Sequence, residues 1–272
     1  MRIAIIGAGG IGSAFAVLLT DAGHDVTLVA RGARLEELRR GGVRVANRAE
    51  PVTVALEPLL PVGEAYDLVL VTVLATQVEP LLPVLRESKA RAVMFMFNTF
   101  GGLARLRDAV GGERFSFGFP AIIAAVDAGE LSLRVVPRLA KLLQITTVGG
   151  ARARAWCGLF EAAGIPCVEH DDPEAWLASH AAFMAPLMLL GAHARPLTHA
   201  QARALASTMK AGFALVPNVT PLSVRLLSWC PGFLLTAMLW LVSRTRVVDA
   251  LGGRGPGEAL ALLKQMGLPP PL

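Results

Sequence analysis

A glycine-rich turn close to the start of the chain is the first feature with chemical meaning. Residues 7–12 have the pattern GxGxxG, between the β-branched apolar run Arg2–Ile6 and the helically spaced stretch Gly10–Ala22. In that setting the first glycine permits a tight turn, the second admits a pyrophosphate, and the third lets the helix pack on the strand. A turn without a ligand is the alternative, and the strand–turn–helix context favours a dinucleotide. The residues expected to bind it are Gly7, Ala8, Gly9, Gly10, Ile11 and Gly12.

The end of the second predicted strand indicates which dinucleotide binds. An acidic side chain there would bind the ribose hydroxyls of NAD(H), but Asp25–Ala30 is followed by Arg31, with Arg34 close behind. A guanidinium suits a 2′-phosphate, because it forms bidentate charged hydrogen bonds. We therefore predict NADP(H) with Arg31 as its specificity residue, the alternative being a surface arginine.

Strand and helix patterns alternate over the first part of the chain, which predicts an α/β fold with a Rossmann-type doubly wound sheet. Further strands are predicted at Asp67–Val73 and Ala92–Phe97, with a helix at Gln77–Arg86 between them. Weaker strand patterns are expected to extend the same sheet. They lie at Phe117–Ala124, Leu131–Val136 and Leu142–Val148.

The pattern changes near residue 170, where apolar residues begin to recur at helical spacing. Asp172, Pro173 and Glu174 form a favourable helix start. The chain is therefore predicted to hold a dinucleotide-binding domain over 1–169 and an all-helical C-terminal domain over 170–272.

Several segments together resemble the ketopantoate reductase (2-dehydropantoate 2-reductase) family. These are the GAGGIG turn with Arg31, the stretch DLVLVTVLATQ over 67–77, FNTFG over 97–101, EAW over 174–176 and the final GLP over 267–269. The resemblance implies a Rossmann domain followed by a helical domain, with the active site in the cleft between them. It also implies that Leu74, Gln77 and Asn98 occupy cofactor-side positions.

The same resemblance shows that the charged groups of the family are missing. A family lysine after the fourth strand corresponds to Leu74, and the catalytic lysine corresponds to Ala178, or to Leu177 in an alternative alignment. Two asparagines correspond to Ala182 and to Ala185 or Pro186. The late catalytic glutamate falls near Val247, with Asp249 close by. A 2-keto acid would find few partners for its carboxylate in such a site, so a largely apolar substrate is expected.

Two side chains remain as catalytic candidates, Asn98 and His180. Asn98 follows a strand at the edge where the cofactor binds, whereas His180 is the only titratable side chain between Glu174 and His193. A histidine at that place could donate a proton to a developing alkoxide, enolate or amine. The alternative is a buried histidine bonded to a backbone carbonyl, and that alternative stays open at this point.

Leu226–Ser243 carries no charge over 18 residues, the lower limit for a membrane-spanning helix. Pro231 and Gly232 interrupt it, so two buried helices that pack on the Rossmann domain or on a dimer mate are expected instead of an integral span, and contact with a membrane surface stays open. On the helix predicted from Pro173, the face that includes Phe183, Met184 and Met188 predicts core, or an apolar substrate pocket.

Charge and cysteine composition bear on nucleic-acid binding, metal binding and the cellular compartment. The net charge is +5, but the arginines are scattered without interleaved aromatic residues, so nucleic acid is not expected as a partner. Three cysteines without metal-ligand spacing predict no metal site, and with a strand at residue 2 they favour the cytoplasm. The helical domain is also a candidate homodimer surface.

The sequence thus predicts an NADP(H)-dependent reductase acting on a carbonyl, imine or activated alkene in a small, largely apolar molecule. A non-redox enzyme or a binding protein on the same fold is the alternative. Loss of reduced-nicotinamide absorbance with a candidate substrate separates the two.

Overall fold

The structure is a computed structural model that describes residues 1–137, 145–192, 196–245 and 256–271. Its described residues divide into two compact units. The first comprises Met1–Phe97 and Gly102–Pro173, and the second comprises Asn98–Gly101 and Glu174–Leu272. The division after Pro173 lies a few residues beyond the predicted boundary, and a short insertion after the sixth strand belongs to the helical unit.

The first unit is built on an eight-stranded sheet in the order β11-β10-β7-β6-β5-β1-β2-β4. From β1 the chain adds strands on one side and then returns to add β5, β6 and β7 on the other, so β1 stands at the switch point where dinucleotides bind in such folds. Among the described strands, β10 pairs antiparallel with β7 and β11 pairs parallel with β10, so these two strands run opposite to the rest of the sheet. The strands are β1 Arg2–Ile6, β2 Asp25–Val29, β4 Ala55–Glu57, β5 Leu68–Val71, β6 Val93–Met96, β7 Phe115–Phe119, β10 Thr146–Gly150 and β11 Cys167–Glu169.

Helices flank this sheet because each presents an apolar face to buried strands. In α1 (Gly10–Asp21), Phe15 and Leu19 are fully buried, and Phe15 stacks obliquely on Phe160 of α5 with ring centroids 5.3 Å apart. The remaining helices of the unit are α2 Gly32–Gly41, α3 Leu82–Glu87, α4 Leu103–Val110 and α5 Ala153–Ala162.

A second, three-stranded sheet corrects one expectation. The predicted single strand Phe117–Ala124 is broken at Pro120, which has no N–H for a ladder bond, and its second half becomes β8 (Ile122–Asp127). With β9 (Glu130–Val135) and β3 (Arg44–Val45) it forms a separate sheet instead of extending the main one. Leu142–Leu143–Gln144, at the start of the last weak strand, lie outside the described residues.

The helix predicted over Gln77–Arg86 is also only partly formed. Two 3-10 turns cover Ala75–Gln77 and Glu79–Leu81 before α3 begins at Leu82. Pro80 and Pro83 explain this, since each lacks the N–H that a continuous α-helix would need there.

The second unit is helical throughout its described part and has its own core. Gly212 of α7 approaches Ala182 of α6 so closely that an added Cβ would lie 3.1 Å from the alanine's Cβ. Small residues thus let these helices pack with their backbones near each other. The helices are α6 Pro173–Ala192, α7 His199–Ala214, α8 Leu222–Trp229, α9 Gly232–Val242 and α10 Pro256–Gln265.

The uncharged segment folds as two helices, α8 and α9, separated at Cys230 and Pro231. Within the described ranges no single helix is long and apolar enough to cross a bilayer, and this pair reaches that length only with a bend of 113°. Within the single chain one face of this pair is uncovered, since Trp229 and Phe233 are 68% and 72% exposed, whereas Leu235 and Leu239 are fully buried. Whether a dimer mate covers that face, as the prediction allows, stays a prediction.

Candidate cofactor-binding and active site

The turn between β1 and α1 has the geometry that the glycine pattern requires. Gly7 adopts φ +111°, a conformation that side-chain-bearing residues rarely occupy. A Cβ on Gly12 would lie 1.8 Å from the Gly7 oxygen, so only glycine fits there. Gly9, by contrast, has no atom within 4 Å of a Cβ position. The turn is therefore closely packed on its protein side and open at its middle glycine.

Gly10 has a different role from its neighbours in the motif. A Cβ at this position would lie 2.4 Å from the carbonyl oxygen of Ala124 in β8. The small sheet thus approaches the first residue of α1 at backbone distance. Ile11 is 5% exposed and belongs to the core, so its predicted contribution to cofactor binding reduces to its backbone N–H.

Three polar side chains hold the turn, and none of them was predicted as a site residue. Thr72, just after β5, donates its hydroxyl to the carbonyls of Ile6 and Gly7, at 3.1 and 3.0 Å. The Ala8 carbonyl accepts from the Ser13 hydroxyl and from Arg34 Nε, both at 3.2 Å. A hydroxyl directly after the fourth strand of a Rossmann pattern is the sequence signal that points to Thr72.

The two arginines after β2 are engaged differently. Arg34 donates to the turn and also pairs with Glu37, with Nη1 2.7 Å from Oε2. Arg31 is the N-cap residue of α2 and its side chain is exposed. Arg31 therefore presents its guanidinium to solvent at the end of β2, whereas Arg34 supports the turn.

Leu74 and Gln77 stand together beyond β5. The Gln77 side-chain oxygen accepts the Leu74 backbone N–H at 3.3 Å, and the Gln77 N–H donates to the Leu74 carbonyl at 2.8 Å. Leu74 is 38% exposed. The two predicted cofactor-side residues thus form one small turn in which the glutamine side chain has a structural task.

Asn98 belongs to the second unit, where its side chain meets the last described helix. Its Nδ2 donates to Glu258 Oε1 at 2.6 Å, and the neighbouring Phe100 N–H donates to Gln265 Oε1 at 2.7 Å. Asn98 Oδ1 is buried and has no hydrogen-bond partner among the described residues. Glu258 accepts one of the two amide N–H groups and so fixes the direction of the amide, and the carbonyl oxygen is the acceptor that Asn98 has left for a ligand N–H or O–H.

His180 lies inside the second unit. Its ring is stacked on that of Trp176, with centroids 5.0 Å apart and planes 7° from parallel, and the residue is 5% exposed. Burial lowers the pKa of His180 to about 3, because the charged imidazolium loses its hydration. The side chain is therefore neutral at pH 7. Its predicted role as a proton donor is not decided by this geometry.

Comparison with known proteins agrees with the architecture. Residues 3–136 match the family model described as "Ketopantoate reductase PanE/ApbA". The resemblance to the ketopantoate reductase family that the sequence predicts is thus confirmed over this range. The matched range contains the glycine turn, Arg31, Leu74, Gln77 and Asn98.

Solved structures of similar fold cover almost the whole chain. A Bacillus subtilis protein described as a probable 2-dehydropantoate 2-reductase has a TM-score of 0.70 at 19% identity, covering 99% of this chain and 95% of its own. The 2-dehydropantoate 2-reductase of Geobacter metallireducens GS-15 has a TM-score of 0.68 at 17% identity, covering 98% and 99%. A D-mandelate dehydrogenase solved with NADH and anilino(oxo)acetate has a TM-score of 0.65 at 14% identity, covering 98% and 97%. At these identities the likeness concerns the fold.

Two of the positions at which the resemblance predicts catalytic residues of the family are apolar and lie in α6. Ala178 is partly buried, and Ala182 is completely buried against Gly212. Lys210, on α7, donates its ammonium to the carbonyls of Ser228 and Cys230, at 2.7 and 3.3 Å. Val247, Asp249, Lys141 and His193 lie outside the described residues.

Proposed function

We propose that this protein is an NADP(H)-dependent reductase of the ketopantoate reductase family. Two observations carry the proposal: Gly9 is open in the β1–α1 turn, and Arg31 is exposed just after β2. A pyrophosphate fits where a Cβ would meet no atom, and the first N–H groups of α1 supply donors and a favourable dipole. Arg31 would bind the 2′-phosphate and so favour NADP(H) over NAD(H).

Asn98 is a second residue whose chemistry fits a bound nicotinamide cofactor. Its buried carbonyl oxygen accepts from a donor such as a carboxamide N–H2 or a hydroxyl, while Glu258 fixes the direction of the amide. When bound, the reduced nicotinamide supplies the hydride for the reaction. The chain itself binds the cofactor, orients it and excludes water from the reacting atoms.

The expected substrate is largely apolar and has a carbonyl, imine or activated alkene. By the resemblance, Leu74, Ala178 and Ala182 stand where the family has charged or polar side chains, so they would offer no charge to a carboxylate, and an unpaired buried charge costs several kcal/mol. The D-mandelate dehydrogenase of similar fold was solved with NADH and an aromatic oxo acid, which makes NADH and aryl 2-oxo acids informative comparison compounds. His180 as proton donor stays a prediction of this proposal.

The test is oxidation of NADPH by the purified protein across a panel of apolar ketones, cyclic imines and enones, with ketopantoate and an aryl 2-oxo acid alongside. Turnover of a neutral apolar compound, lost in Asn98→Ala, supports the proposal. Tight NADPH binding without oxidation in the whole panel would favour the non-redox alternative. Failure to bind either nicotinamide cofactor would refute the proposal.

A further inference from the structure

The α8–α9 elbow, defined here as residues 222–244, has an unusual surface. Isolated exposed apolar side chains are common on proteins, but a contiguous group marks an interaction surface. Leu222, Leu226 and Trp229 are 58%, 55% and 68% exposed and follow one another at helical spacing on α8. Phe233, just past the break, is 72% exposed, and Leu241 is 59% exposed. The most exposed aromatic residues therefore flank the break between the helices.

The elbow is held firmly in this shape. Leu235 and Leu239 of α9 are fully buried in the core of the helical unit, and Val224 anchors α8. The Lys210 ammonium binds the carbonyls of Ser228 and Cys230, which satisfies the C-terminal end of α8. One face of each helix thus packs in the core of the helical unit, and the exposed apolar face of the elbow contributes nothing to that core.

The charges of the α8–α9 elbow indicate the kind of partner that it binds. Arg225 lies over the ring of Trp229, at 5.9 Å from its centroid, and Arg244 lies over Trp240 at 3.4 Å. From Ala175 to Val248 the sequence has no aspartate or glutamate but six cations: Arg195, Arg203, Lys210, Arg225, Arg244 and Arg246. The elbow is therefore apolar at its break, bordered by arginine–tryptophan pairs, and without a single acid.

We propose that the α8–α9 elbow docks on the surface of an anionic lipid bilayer. Apolar side chains would enter the interface with Trp229 and Phe233 leading, while Arg225 and Arg244 meet the headgroups. The bend of 113° suits a wedge lying in one leaflet and not a span. A second copy of this chain fits less well, because a two-fold contact would bring arginines together with no acid on the elbow to pair them.

The experiment is co-sedimentation of the full-length protein with vesicles of phosphatidylcholine and phosphatidylglycerol, compared with phosphatidylcholine alone. We expect binding to the anionic vesicles that weakens with added salt. The double variant Trp229→Ser/Phe233→Ser should bind at least about tenfold more weakly, since each aromatic side chain loses its transfer from water. Arg225→Gln/Arg244→Gln should mainly reduce the difference between the two vesicle types.

The matched control is Leu59→Ser/Leu260→Ser, which removes two exposed leucines elsewhere and should bind like the wild type. Trp229→Phe guards against misfolding of the serine variant, because it should keep binding while losing part of the quenching by brominated lipid. Absence of wild-type binding, or undiminished binding of Trp229→Ser/Phe233→Ser, overturns the proposal. So does a wild-type dimer that the serine variant converts to monomer while vesicles stay unbound.

Discussion

Three glycines of the β1–α1 turn, Gly9, Gly10 and Gly12, allow the space for the cofactor to be distinguished from the space that packing fills. Alanine at Gly12 would put a carbon 1.8 Å from the Gly7 oxygen and 2.6 Å from Thr72 Oγ1, where non-bonded atoms normally keep about 3.5 Å. We expect Gly12→Ala to destabilise the protein by about 1–3 kcal/mol or more, because backbone must move. At roughly 2–4 °C per kcal/mol the melting temperature should fall by several degrees.

Gly9→Ala is the informative partner variant. Gly9 has φ −75°, which alanine adopts freely, and no atom lies within 4 Å of the new Cβ. Stability should therefore stay within about 0.5 kcal/mol of the wild type. The Kd for NADPH should nevertheless rise at least about tenfold, because the methyl group would occupy the place of the pyrophosphate.

The assay pairs thermal unfolding with a fluorescence titration of NADPH for each variant. Gly10→Ala serves as the packing control, since its Cβ would lie 2.4 Å from the Ala124 oxygen of β8 and should lower stability. Wild-type NADPH affinity in Gly9→Ala would refute the assignment of this space to the cofactor. An unchanged melting temperature in Gly12→Ala would refute the packing argument.

Four further outcomes are expected. The wild type should bind NADPH at least about tenfold more tightly than NADH, and Arg31→Ala should erase most of this preference, since a charged phosphate contact contributes about 1.5–3 kcal/mol. Arg34→Ala should chiefly lower the melting temperature. Equal affinities of the wild type for the two cofactors would contradict the assignment of Arg31. Ketopantoate should be reduced several orders of magnitude more slowly than by a ketopantoate reductase that has the catalytic lysine, and rapid NADPH oxidation with it would show that another cation serves its carboxylate. The pKa of His180 is lower in the folded than in the unfolded state, so the stability that the neutral ring contributes is present above pH 6.5 and is lost as pH falls towards 3. The unfolding free energy of His180→Gln should therefore fall less steeply than that of the wild type between pH 6.5 and 3. Parallel curves for the two proteins would be incompatible with a buried neutral ring. Glu258→Ala should raise the NADPH Kd by about tenfold through loss of a charged hydrogen bond to Asn98, with Lys264→Ala on the same helix as control; no change would mean that the amide orientation does not matter for binding.

The local features of the cofactor half could be predicted because they depend on neighbouring residues. The glycine turn needs small residues at fixed spacing, and the buried strands are short runs of β-branched residues, so the sequence pattern carries both. The departure of β8 from the main sheet was missed, although Pro120 signals a break. The break does not tell which strands β8 will then pair with, since that depends on distant residues.

Contacts between residues that are far apart in the chain could not be predicted from the sequence. Asn98 and Glu258 are 160 positions apart, and nothing in the residues around Asn98 indicates its partner. The two arginines after β2 look equivalent in sequence, yet Arg34 is bound to the turn and Arg31 is exposed. Likewise, an uncharged run predicts burial, and only the three-dimensional packing shows that one face of α8 and α9 is left uncovered.

The chain crosses between its two units early, at Asn98–Gly101, and this has a consequence for biosynthesis. On the ribosome the first unit can be assembled once residue 173 has emerged, but Asn98 and the Phe100 N–H form their hydrogen bonds with Glu258 and Gln265 only after α10 has followed. The side chain of Asn98 would therefore stay unfixed until α10 has been translated. A nascent chain cut short before α10 would have its glycine turn and yet lack a fixed Asn98.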